Sequence, residues 1–161
     1  MKQSFLAILL LFSVLCSSAT SCSRNADNIQ PTNIENNNTN DNMTSNKINI
    51  KVGSKVFTAT LSDNNAAKAF KEMLPLTINM TELNGNEKYS DLPKSLPTNS
   101  TSPETIKNGD LMLYGSNTLV LFYKTFSTSY SYTKLGSVDD ATGLTTALGA
   151  GNVSVTFEIQ K

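Results

Sequence analysis

The chain has 161 residues, with 13 lysines and arginines against 13 aspartates and glutamates, two cysteines, and neither histidine nor tryptophan. A net charge of zero without a cluster of one sign excludes the electrostatic footprint of a nucleic-acid binder, because phosphate neutralisation dominates such affinity. Both cysteines, Cys16 and Cys22, lie near the start, so the rest of the chain can build neither a Ser-His or Cys-His nucleophile nor a His- or Cys-ligated metal site.

Met1-Lys2 and the apolar run from Phe5 to Leu15 have the charge and length of a signal peptide, too short to span a bilayer as a stable helix. Ala19-Thr20-Ser21-Cys22 resembles a bacterial lipobox, in which small residues precede a cysteine that is diacylated and becomes the new N-terminus. Cys16 fits that pattern poorly because bulky Val14 and Leu15 precede it, while at Cys22 the departure is Ala19 where leucine is usual. The resemblance implies a signal peptide over residues 1–21, a lipidated Cys22 and a membrane-anchored lipoprotein of the bacterial cell envelope, at the outer membrane or cell surface rather than in the cytoplasm. Each buried methylene of an acyl chain contributes about 0.8 kcal/mol, so multiple acylation makes a stable anchor.

Residues 22–46 hold the lipidated cysteine and an Asn-, Thr- and Ser-rich stretch that buries too little apolar surface to offset its ordering entropy. They are expected to be a disordered tether, spanning about 25–30 Å as a flexible coil.

The folded domain is expected over residues 47–161. Ile48, Ile50 and Val52 alternate with polar residues, Gly53-Ser54 turns the chain, and Phe57, Ala59 and Leu61 alternate again. This predicts a β-hairpin with one face buried. Asp63 is the expected N-cap of a short helix whose stripe is Ala66, Phe70, Met73 and Leu74, stopped by Pro75. Leu76, Ile78 and Met80 predict a third strand. Residues 85–108 run through Pro93, Pro97 and Pro103 with few apolar anchors, and predict a long exposed excursion with at most a short strand at residues 87–89.

Two apolar runs, residues 111–114 and 119–123, flank Gly115-Ser116-Asn117-Thr118 and predict a tight hairpin at the centre of the domain. Each run is apolar on both faces of the pleat, so both sides must be covered. Residues 124–133 form a Ser-, Thr- and Tyr-rich loop carrying Phe126, Tyr130 and Tyr132. Residues 134–138 predict a strand, Asp139 or Asp140 a cap for a helix bearing Leu144 and Leu148, and Val153, Val155, Phe157 and Ile159 a closing strand. The fold class that follows is mostly β: a small closed antiparallel barrel of about eight strands with two short helices.

The opening hairpin, the helix after Asp63-Asn64-Asn65, the Leu74-Pro75-Leu76 strand start, Gly109-Asp110-Leu111 with Leu121-Phe122-Tyr123, and Leu135-Gly136-Ser137-Val138 together resemble the bacterial cyclophilin-like domain family. The resemblance spans residues 47–161 and implies the cyclophilin barrel. It does not carry the isomerase chemistry, which in true cyclophilins uses an arginine, a glutamine, a tryptophan and a histidine around the prolyl peptide. The matching region here is residues 87–94, without any of those types, and Val120-Leu121-Phe122 stands for the family's Gln-Phe-Phe strand, so Phe122 alone is kept.

No catalytic residue, metal ligand or cofactor is expected. Asp139-Asp140 reads as a helix start rather than an acid–base pair, Asp63-Asn64-Asn65 lacks the spacing of a calcium loop, and Lys88 and Lys94 read as loop charges. In the resembling family the two long segments border the ligand groove. They bring Lys88, Tyr89, Phe122, Phe126, Tyr130 and Tyr132 into a candidate cleft with exposed tyrosines at its walls and Phe122 at its floor, while Tyr114 and Phe122 are sent to the core or a covered face. The function that follows is a lipid-anchored binding or interaction module for a peptide, protein or small molecule. The alternatives are a weak prolyl isomerase and, disfavoured for want of a carboxylate pair, a cell-surface carbohydrate-active enzyme.

Overall fold

The computed structural model describes residues 45–161; the signal peptide, Cys16, Cys22 and nearly all of the tether lie outside the described residues. The opening hairpin forms as its alternation dictates, from β1 (Lys47–Val52) and β2 (Lys55–Leu61) with Gly53 at φ 57° in the two-residue turn. After it come α1 (Asn65–Lys71), β3 (Leu76–Leu83), β4 (Glu87–Asp91), β5 (Thr105–Ile106), β6 (Asp110–Tyr114) and β7 (Thr118–Phe122). The chain ends with β8 (Phe126–Ser127), β9 (Thr133–Val138), α2 (Leu144–Leu148) and β10 (Val153–Ile159).

Eight strands close into an antiparallel barrel in the order β1-β10-β3-β4-β7-β6-β9-β2, while β5 and β8 pair with each other outside it. Closure leaves the barrel strands no free edge. Inward-facing residues fill the lumen, among them Ile50, Leu61, Met80, Leu113, Leu121 and Phe157, all at most 4% exposed. A small barrel is packed solid in this way, which sends any ligand site to its outer face or rims.

The helices cover the two ends. Helix α1 lies by the start of β9, where the Asn64 side chain donates to the Lys134 carbonyl, and it buries Ala66, Ala67 and Phe70, with the Phe70 ring edge-on to Phe157 at 5.7 Å. Helix α2 follows the end of β9 and buries Leu144 and Leu148.

The expected caps are both corrected. Asn64, not Asp63, has the extended backbone of an N-cap and accepts the Ala67 N–H at 2.8 Å, whereas Asp63 pairs with Lys68 in solvent. Helix α2 begins after Gly143 with no side-chain cap. Asp139 instead binds Lys47 and the Thr60 hydroxyl, and Asp140 accepts the Thr142 N–H, closing a turn ahead of the helix.

The excursion over residues 85–108 is corrected too. Its first part is β4, an integral barrel strand between β3 and β7. The rest is held to the barrel by buried Leu92, Leu96 and Ile106, by the Leu92 and Leu96 N–H groups on Asn117 and Ser116, and by the bridge of Thr101 to Tyr132. Strand β4 escapes the usual pattern because both of its faces are polar; only its neighbours make it a strand.

Candidate functional site

The central hairpin is apolar on both faces because both are covered. Leu111, Leu113, Leu119 and Leu121 enter the lumen, while Met112, Val120 and Phe122 face outward beneath β5, β8 and Tyr132, where a second apolar cluster forms with Ile106. The outer cover is therefore loop and two-stranded ribbon rather than helix.

Register carries the outer face across three strands. Glu87 lies opposite Phe122, Tyr89 opposite Val120 and Asp91 opposite Thr118, and β7 in turn sets Val120 against Met112 and Thr118 against Tyr114. Aromatic rings continue the surface: Phe122 packs on Phe126 at 5.7 Å and on Tyr132 at 5.5 Å, Tyr132 on Tyr114 at 5.7 Å, and Tyr114 on Tyr130 at 6.2 Å, nearly perpendicular. The last two are open to solvent, at 48% for Tyr114 and 62% for Tyr130. Between them and β4 lies a groove of about 670 Å³ walled by Tyr89, Tyr114, Val120, Phe126, Tyr130 and Tyr132. Polar residues, among them Asn86, Glu87, Asp91 and Thr118, complete the lining, so the groove is a concave surface that combines aromatic walls with polar groups able to orient a ligand.

Tyr89, Phe126, Tyr130 and Tyr132 thus meet in one groove, although Tyr132 is only 8% exposed and presents little more than an edge. Phe122 is fully buried under Phe126 and Tyr132 and supports the groove without lining it, so the floor is Val120. Tyr114, which was expected in the core or under cover, is instead an open wall.

Lys88 does not belong to the groove. Because Tyr89 faces out, its neighbour faces in, and the ammonium is fully buried. There it pairs with Glu82, donates to the carbonyls of Gly149 at 2.8 Å and Gly151 at 2.6 Å, and lies 5.4 Å from the centre of the Tyr123 ring. The Tyr123 hydroxyl donates to both Glu82 oxygens, at 2.7 and 2.8 Å. Burial pushes the Glu82 carboxyl up, but hydrogen bonds from Lys88, Tyr123 and the Gly85 N–H, with the lysine charge, outweigh it and hold the group below its ordinary value. Burial, the bond to Glu82 and the charges of Glu82 and Glu87 push the Tyr123 phenol up to about 12.

Among the groove residues that sequence reasoning missed are Tyr114, Val120, Glu87 and Asp91. The two carboxylates were within reach, since they sit two residues either side of Tyr89 and strand alternation puts all three on one face. Among the described residues, no group of three or more metal-ligating side chains is gathered.

The family model for the cyclophilin-like family matches residues 50–158. No curated protein matches the chain. Among solved structures, the chain is similar to the solution structure of the hypothetical protein AF2241 from Archaeoglobus fulgidus, with a TM-score of 0.57 and 17% identity over 73% of this chain and 96% of that one. At that identity the likeness concerns the fold.

Proposed function

The chain belongs to the cyclophilin-like family, and from that premise we propose that it is a lipid-anchored binding module of the cell envelope, holding a ligand in the outer-face groove without isomerising it. The observation that carries this reading is the chemistry of the groove wall. Aromatic rings and carboxylates stand there, and among the described residues no arginine or lysine lines it. Prolyl isomerisation in the family's manner requires a cation over the prolyl amide. The only arginine of the sequence is Arg24, outside the domain, and Lys88 is turned into the barrel. The lipobox resemblance at Cys22 supports the anchor.

The carbohydrate-active alternative finds no support in Glu87 and Asp91. Four residues apart on one strand, their Cα atoms are separated by about 13 Å, and side chains standing side by side at that spacing exceed the separations used for glycoside hydrolysis. Two measurements test the proposal. Cells labelled with a palmitate analogue should mark the wild-type chain and leave Cys22→Ser unmarked; label kept in that variant and lost in Cys16→Ser would move the anchor to the other cysteine. Catalytic amounts of the purified chain should leave the rate of a protease-coupled proline-peptide assay unchanged, and clear acceleration would replace the binding module with an isomerase.

A further inference from the structure

The groove offers acceptors and aromatic rings, and among the described residues no cation lines it. Glu87 and Asp91 flank Tyr89 along its β4 side. Asp91 accepts the Thr118 hydroxyl at 2.7 Å. Glu87 is half-buried and enters no ion pair among the described residues. Burial, and then the charge of Glu82, push its carboxyl above the ordinary range. Next to it, the side-chain oxygen of Asn86 is shielded from solvent and has no hydrogen-bond partner among the described residues. Lys124 lies near Gly85 at the turn but is not part of the groove wall.

A half-buried carboxylate without a counter-ion is costly, and a cation that pairs with it recovers part of that cost. The other walls favour the same kind of guest. Tyrosine faces carry the negative end of the ring quadrupole and attract ammonium and guanidinium groups, whereas an anion would meet two carboxylates. A neutral ligand without a hydrogen-bond donor would bury Glu87 further and leave it uncompensated.

We propose that the groove takes an organic cation, an alkylammonium or guanidinium head on a slender stem, with Glu87 as its counter-ion and Tyr89, Tyr114 and Tyr130 as its aromatic walls. This inference rests on the reading of the groove as a binding site. Two sources supply such a group, a lysine or arginine side chain of a peptide and a free amine. The tyrosines are natural reporters: of five in the chain, four line the groove and the fifth, Tyr123, is buried beside Lys88.

The test is an NMR titration of the purified chain carrying isotope-labelled tyrosine with four probes: acetyl-Gly-Lys-Gly-amide, its arginine counterpart, its norleucine counterpart and cadaverine. The lysine and arginine peptides should shift the groove tyrosines saturably, leave Tyr123 in place, and bind at least about tenfold more tightly than the norleucine peptide. Glu87→Gln should remove most of that advantage. Cadaverine matching the lysine peptide assigns the ligand to free amines, and weaker cadaverine binding assigns it to peptide side chains; both support the cation site. Equal binding of norleucine and lysine peptides, unchanged in Glu87→Gln, overturns the cation site and leaves the groove standing. No tyrosine shift with any probe overturns the groove itself.

Discussion

Lys88 and Glu82, partners in the β3–β4 register, form an ion pair with the lysine fully shielded from solvent and the glutamate side chain 19% exposed. The pair ties the β3–β4 turn to the loop after α2, because the same ammonium holds the carbonyls of Gly149 and Gly151.

The asymmetry of exposure predicts an asymmetry of cost. Removing Glu82 strands a buried ammonium, so Glu82→Ala should destabilise the domain by about 3–5 kcal/mol. Lys88→Met keeps the apolar stem and leaves a carboxylate that already reaches water and still holds Tyr123 and Gly85, so it should cost less. Urea denaturation of the two variants measures the difference. A larger loss in Lys88→Met would mean that the two glycine carbonyls, rather than the charge pair, dominate.

Two glutamates on neighbouring strands should move stability with pH in opposite directions. The Glu82 carboxyl is depressed by folding, so the stability it contributes is present above its unfolded value and is lost as pH falls through the depressed folded value. The Glu87 carboxyl is raised by burial and by the Glu82 charge. Its contribution is complete below the unfolded value and is lost as pH rises through the raised one. Glu87→Gln should therefore melt higher than wild type at neutral pH, with the gap closing in acid. Glu82→Gln should melt lower at neutral pH, with its gap also narrowing in acid. Melting curves from pH 3 to 8 decide the signs.

Burial separates two aromatics of the same outer surface. Phe122 is fully buried between Phe126 and Tyr132, so Phe122→Ala should cost about 3–5 kcal/mol. Tyr130 is 62% exposed, so Tyr130→Ala should stay within about 0.5 kcal/mol of wild type while weakening ligand binding in the groove. Loss of fold in Tyr130→Ala would make that loop a structural element rather than a wall.

Gly136 marks where β9 and β2 approach too closely for any side chain. A Cβ added there would fall on the Thr60 carbonyl oxygen and stand 3.0 Å from the Leu61 Cα. Both are backbone atoms that cannot swing aside, so Gly136→Ala should destabilise by about 1–3 kcal/mol or more. Gly151→Ala, with nothing within 4 Å of the added carbon, is the matched control.

Where one face of an element is apolar and the other polar, its fold is legible in the chain. Ile48, Ile50 and Val52, the Ala66–Phe70 stripe and the Val153–Phe157 alternation each declare a period and a buried side, and the barrel follows from closing strands of that kind. Alternation gives only a period, however, and it assigns no inside to a strand whose faces match. Strand β4 is polar on both faces, and so the ladder with β3 and β7 decided that Lys88 enters the barrel while Tyr89 faces the groove. Strands β6 and β7 are apolar on both faces, and so closure of the barrel decided which leucines fill the lumen and which residues support the groove. The groove itself draws on β4, β6, β7 and the segment around β8, and residues so far apart in sequence become one site only when long-range hydrogen-bonded register sets them side by side.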